Sequence, residues 1–100
     1  MFEDKNNIKN GLIEHPDGVK SWYINGQLHR IDGPAIEWSD GSKYWYINGQ
    51  LHRTDGPAIE NTYGKRWYFN GKWHREDGPA IEHENGKAWY VNGLLHRLDG

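Results

Sequence analysis

One phrase recurs along this chain and constrains its fold more than any other property. Trp45-Tyr46-Ile47-Asn48-Gly49-Gln50-Leu51-His52-Arg53-Thr54-Asp55-Gly56-Pro57-Ala58-Ile59-Glu60 has close copies starting at Trp22 and Trp67, and a fourth runs from Trp89 to Asp99-Gly100. The tryptophans at 22, 45, 67 and 89 set a period of 22 to 23 residues. A fixed period of this size marks a repeat architecture, in which each unit packs mainly against its neighbours. The expected organisation is a four-unit domain over residues 11–100, preceded by an N-terminal cap, 1–10, whose Phe2 and Ile8 are placed to cover the first unit. The repetition also argues against catalysis, because an active site is normally built once and this unit is built four times.

Each unit carries two turn signals. The first is His15-Pro16-Asp17-Gly18, Trp38-Ser39-Asp40-Gly41, Asn61-Thr62-Tyr63-Gly64 or His83-Glu84-Asn85-Gly86, with the glycine always five residues after an isoleucine. The second is Asn-Gly in all four units, the strongest short hairpin signal because a type I′ turn needs positive φ at both positions. The interval from first-turn glycine to tryptophan is one residue longer in the first two units, which places that extra residue in the loop of an antiparallel hairpin. The expected register sets Ile36 opposite Trp45, Trp38 opposite Lys43, Ile81 opposite Trp89 and His83 opposite Lys87. At the Asn-Gly tip, Ile47 faces Gln50, Tyr46 faces Leu51 and Trp45 faces His52. The third segment, Leu51-His52-Arg53, is either a short strand or an extended loop. Alternation then assigns Ile36, Trp45 and His52, with their counterparts, to a core face, and Ala35, Glu37, Tyr46, Leu51 and Arg53 to a wetter face.

Units of this length with an aromatic pair, an Asn-Gly and a following glycine resemble MORN repeats, in particular the variant found in YwqK-like antitoxins. The phrase Trp-Tyr-x-Asn-Gly-x-x-His-Arg-x-Asp-Gly-Pro-Ala-x-Glu is also similar to tandem repeats of bacteriophage and large-virus proteins. The resemblance covers residues 11–100. It implies an all-β fold of consecutive antiparallel hairpins in an elongated, curled single sheet. It also implies an interaction module, such as a viral inhibitor of a host defence system. The chain departs from the standard MORN pattern in its His-Arg-x-Asp-Gly-Pro segment.

Charge and composition narrow the partners. Twelve Lys and Arg against 14 Asp and Glu leave no basic surplus for nucleic acid. There are no cysteines, which fits a reducing compartment, and the cytoplasm of a bacterial or infected cell is the expected location. No apolar run approaches the roughly 20 residues that a membrane helix needs, and Met1 to Asn10 is too polar for a signal peptide.

The repeated polar residues admit structural and functional readings. His29, His52, His74 and His96 share one repeat position. With three strands per unit they would stand roughly 14 Å apart, too far to share a metal. Each is expected to pack beside its own tryptophan and hold its tight turn. Arg30, Arg53 and Arg75, with Asp32, Asp55 and Asp77, either form a repeated anion or sugar site or stabilise the turn, with arginine stacked on tyrosine or paired with the Glu37-type carboxylates. Glu37, Glu60 and Glu82 are equivalent, so none is set apart as a catalytic acid. No enzyme, metal or cofactor is expected.

Residues that break the repeat are the better candidates for binding, because variable positions on a regular scaffold carry specificity. Trp38, Tyr63 and Trp73 are large aromatics at such positions. Leu95, with Leu94 and Leu98, makes the last unit more apolar than its counterparts. Segment 94–98 is therefore an expected open edge, either pairing two copies into a homodimer, receiving a partner, or simply left short. The expected function is a non-catalytic protein-binding module. The alternative is a binder of a small anionic or sugar-like ligand along the His-Arg-Tyr stripe.

Overall fold

The structure, a computed structural model, describes residues 10–99, with side chains as far as His96. Phe2 and Ile8 of the expected cap lie outside the described residues. The first unit contains β1 (Gly11–Glu14), β2 (Lys20–Ile24) and β3 (Gln27–Leu28). The second has β4 (Ile36–Glu37), β5 (Lys43–Tyr44), β6 (Tyr46–Ile47) and β7 (Gln50–Leu51). The third has β8 (Ile59–Asn61), β9 (Gly64–Arg66), β10 (Tyr68–Phe69) and β11 (Lys72–Trp73), and the fourth has β12 (Ile81–His83), β13 (Gly86–Val91) and β14 (Leu94–Asp99). The described residues form no helix.

The fold is the expected all-β array of hairpins. Most strands join one antiparallel sheet in the order β1-β2-β4-β5-β8-β9-β12-β13-β14, with β3 paired to β2. The Asn-Gly hairpins β6-β7 and β10-β11 stand beside it as two-stranded ribbons. The third segment of each unit is thus a strand, two residues long in the first three units. Extents of 53 × 26 × 22 Å and a radius of gyration of 15.5 Å describe an elongated body, since a compact chain of this length has a radius near 13 Å.

The Asn-Gly turns form as their chemistry dictates. Asn25, Asn48, Asn70 and Asn92 have φ of 50 to 52°, and the glycines that follow have φ of 77 to 80°. Tyr46 pairs with Leu51 and Ile47 with Gln50, and the His52 amide donates to the Trp45 carbonyl. The first hairpins differ from expectation by one residue. Ile36 pairs with Tyr44 rather than Trp45, and Ile81 with Ala88 rather than Trp89. The Trp38 amide donates to the Ser42 carbonyl, and His83 pairs with Gly86, so neither meets its expected lysine. The additional residue of the second unit still lies inside the loop.

This shift moves the four repeated tryptophans, Trp22, Trp45, Trp67 and Trp89, to the other face. One face carries the row Ile13, Ser21, Ile36, Tyr44, Ile59, Arg66, Ile81 and Ala88. On the other, successive partners are Glu14, Lys20, Glu37, Lys43, Glu60, Lys65, Glu82 and Lys87, and Trp22 shares that face opposite Leu12. The expected Ile/Trp core stripe is therefore corrected: tryptophan belongs with glutamate, lysine and arginine. The physical reason is the unbroken alternation of opposite charges. Each carboxylate has an ammonium-bearing neighbour across the ladder, and a one-residue slip would forfeit the whole row. Lys65→Glu places a third carboxylate between Glu60 and Glu82. It should cost about 1 kcal/mol at low salt, with the loss shrinking as salt is added. A denaturation midpoint that did not move at low salt would contradict this account.

Little of the interior is large. Ala35, Ala58 and Ala80 are fully buried, with Ile59, Ala88, Ser21 and Ser42 nearly so, and no large side chain among the described residues is completely enclosed. Joints between units are therefore made largely by hydrogen bonds. His29 Nδ1 accepts from the Asn48 amide, His52 Nδ1 from Asn70 and His74 Nδ1 from Asn92, each at 2.9 Å. The expected histidine lock exists, but each histidine holds the turn of the next unit, because its strand lies against that hairpin. Asn10 supplies the equivalent acceptor for the first unit: its Oδ1 receives the Asn25 amide at 3.0 Å. His52→Ala should cost about 1 kcal/mol by orphaning the Asn70 amide. His52→Asn should recover part of that loss, since an asparagine already performs this role. Equal melting temperatures for the two variants would remove the hydrogen bond from the explanation.

Candidate functional site

Two surfaces hold most of the residues singled out by the sequence. The first is built on the His-Arg-x-Asp-Gly-Pro loops. Arg53 lies with its guanidinium carbon 3.7 Å from the centre of the Trp45 ring, while its Nε donates to Asp55 Oδ1 at 2.9 Å and its Nη1 to the Pro57 carbonyl at 3.0 Å. Nη1 also stands 3.7 Å from Glu60. Arg30 repeats the arrangement on Trp22, Asp32, Pro34 and Glu37, and Arg75 on Trp67, Asp77, Pro79 and Glu82. The pairing with glutamate is as expected. The stacking partner is tryptophan rather than tyrosine, a consequence of the corrected face. A planar cation over an indole, with carboxylates at its edge, satisfies charge and donors together.

The glycine of this loop is explained by the same stack. A Cβ on Gly56 would stand 2.9 Å from the Arg53 guanidinium carbon, and Gly33 and Gly78 face Arg30 and Arg75 as closely. Between consecutive loops lie open grooves. One, of about 650 Å³, is lined by residues that include Asp32, Trp45, His52 and Asp55; the next, of about 570 Å³, by residues that include Asp55, Trp67, His74 and Asp77. Asp32, Asp55 and Asp77 project into solvent, but each has one oxygen held by its arginine. Nε and Nη1 of each arginine are committed within its own loop and hairpin. No group of three or more His, Cys, Asp or Glu residues suited to a metal occurs among the described residues.

The second surface lies at the first-turn edge, where the structure brings Trp38 and Tyr63 together. They line a shallow cleft of about 280 Å³ with Asp40, Ser42, Tyr44, Asn61 and Thr62. Trp38 and Tyr44 meet edge to face, with ring centres 5.7 Å apart. Tyr63 is 74 % exposed and its ring stacks on no other. Asp40 Oδ1 accepts the Ser42 amide at 2.9 Å, and bonds from Ser42 hold this carboxyl below its ordinary pKa. A lowered pKa means that its contribution is present above the usual carboxylate range and is lost as pH falls through the lowered value.

The remaining candidates lie elsewhere. Trp73 packs between Tyr68, 6.2 Å away, and Tyr90, at 4.7 Å, and its Nε1 is buried without a partner. It fills the place that Leu28 and Leu51 hold in earlier units, so its ring serves packing between hairpins. Leu95 pairs with Tyr90 and is half exposed, beside Leu94 at 68 %. Their strand, β14, pairs along β13 with a bulge between Trp89 and Tyr90, and it ends the sheet order among the described residues. Sequence reasoning missed Tyr44. Its position, just before the tryptophan, varies from Ser21 to Arg66 and Ala88, and that variation was the available signal.

No family model, curated protein or solved structure matches the chain.

Proposed function

We propose that this chain is a non-catalytic protein-binding module whose docking surface is the first-turn edge around Trp38 and Tyr63. The observation that carries this reading is the cluster of exposed aromatic rings at the place where two adjacent turns break the repeat. Exposed aromatics are typical interface anchors, and short turns between paired strands present them with little loop left to order on binding. The repeat-equivalent carboxylates Glu37, Glu60 and Glu82 sit alike beside arginine, which favours binding over acid-base chemistry. Such a module acts by occupying its partner. Inhibition of a host defence protein in the cytoplasm is the use implied by the resemblance to phage and large-virus repeats.

The test is capture from extracts of the cells in which the chain is made, with the wild type and a Trp38→Ala/Tyr63→Ala variant immobilised in parallel. One protein retained in stoichiometric amount by the wild type and lost by the variant is the expected result. Equal retention by both, or retention of nothing, would sink the proposal. A second reading places a sugar-like ligand in the grooves between loops, favoured by their Trp, His and Asp linings. A thermal-shift screen separates the two, because a small ligand stabilises the chain by mass action without any partner.

A further inference from the structure

The chain already shows how it holds a guanidinium. Arg30, Arg53 and Arg75 each lie over a tryptophan at 3.7 to 3.8 Å and donate Nε to an aspartate two residues further on. At the first-turn edge the same acceptors occur without a cation. Trp38 and Tyr44 meet at a corner, Tyr63 stands beside them, and the Asp40 carboxylate lies in the same cleft. No Lys or Arg lines this cleft. The four first turns, residues 15–18, 38–41, 61–64 and 83–86, contain Asp17, Asp40 and Glu84 and no Lys or Arg. The ladder lysines Lys20, Lys43 and Lys65 occupy the register row of the opposite face, and Arg66, which shares the face of Tyr44 two strands away, does not line the cleft. The edge is therefore aromatic and acidic, complementary to a cation.

We propose that the Trp38–Tyr44–Tyr63 cleft, with Asp40 at its rim, is a receptor for an arginine side chain presented by a protein partner. The guanidinium stacks on the rings, as Arg53 does on Trp45, and donates to the Asp40 carboxylate. Cation–π attraction and a charge-assisted hydrogen bond act together in such a site. The other three units lack it. The equivalents of Trp38 are His15, Asn61 and His83, and only the second and third turns lie side by side with large rings.

This rests on the protein-binding reading for its occupant, but the site is testable without a partner. The probe is N-acetyl-arginine methylamide, titrated into the ¹⁵N-labelled chain, with N-acetyl-norleucine methylamide as the neutral control. A saturable shift in the millimolar range is expected at the Trp38 indole and the Ser42 amide, with the Trp22, Trp45 and Trp67 indoles unmoved. Asp40→Asn and Tyr63→Ala should each weaken binding about threefold. Both lie in an exposed turn, so the unchanged spectrum of the other units confirms that they fold. An absence of saturation, an equal response to the neutral control, or shifts spread over all the indoles would overturn the site. Were a captured partner lost from the Trp38→Ala/Tyr63→Ala variant while the arginine probe failed, the binding reading would stand and this inference would fall. The converse result would leave the cleft assigned and the protein-binding reading refuted.

Discussion

Trp67→Ala should unfold the chain at a temperature at least about 10 °C lower than the wild type. The indole is half-buried in the third of four units, beneath the Arg75 guanidinium at 3.8 Å, and it lines the groove between loops. Removing it deletes the surface on which Arg75 rests, and Arg75 in turn organises Asp77, the Pro79 carbonyl and Glu82. Truncation of a buried tryptophan costs 3–5 kcal/mol, and partial exposure reduces this to about 3. For a chain of this size each kcal/mol moves the midpoint by about 4–8 °C. A melting temperature within two or three degrees of the wild type would show that the tryptophan stripe contributes little to the fold.

Arg53→Ala comes second, at about 2 kcal/mol, although the side chain belongs to a charged face. An exposed ion pair contributes about 1 kcal/mol or less. Arg53 is different because three kinds of contact converge on one half-buried group: the Trp45 ring, the Pro57 carbonyl and two carboxylates. Its loss leaves Glu60 without its guanidinium neighbour and the 54–57 loop without its brace. Arg53→Lys should recover little, since an ammonium has neither the plane to stack nor the fork to reach Asp55 and Pro57 together. Chemical denaturation of the two variants decides the matter. Full recovery by lysine would reduce the interaction to charge alone.

Much of the fold was legible because its signals are local. Asn-Gly sets the tip of every second hairpin within two residues, and the pairs Tyr46–Leu51 and Ile47–Gln50 follow from it. The first hairpins were misplaced by one residue because their loops vary in length and the eye aligns the largest side chains, Ile36 with Trp45. The correcting signal was present. Glutamate follows each isoleucine at 14, 37, 60 and 82, and lysine stands two residues before each tryptophan at 20, 43, 65 and 87. Setting opposite charges against each other selects the observed register, and the tryptophans then fall on the polar face. The binding cleft was half legible. Trp38 and Tyr63 broke the repeat in the sequence, but their meeting with Tyr44 depends on which strands lie together, and that in turn depends on the register.

The histidine that reaches forward from each unit makes the chain a directional ruler. Every joint has the same two parts, an acceptor from the preceding unit and an Asn-Gly turn from the following one, and Asn10 shows that the first part can be supplied by a simpler residue. The main sheet gains two strands per unit, a rise of roughly 10 Å at the usual strand spacing. Excising residues 45–66 would bring Tyr44 to Trp67 and His29 to the turn at Asn70, with all remaining joints matched in kind. It would also delete Tyr63 and leave Trp38 next to the turn at 83–86. Length in this architecture is therefore adjustable in whole steps, whereas recognition depends on which two units stand next to each other.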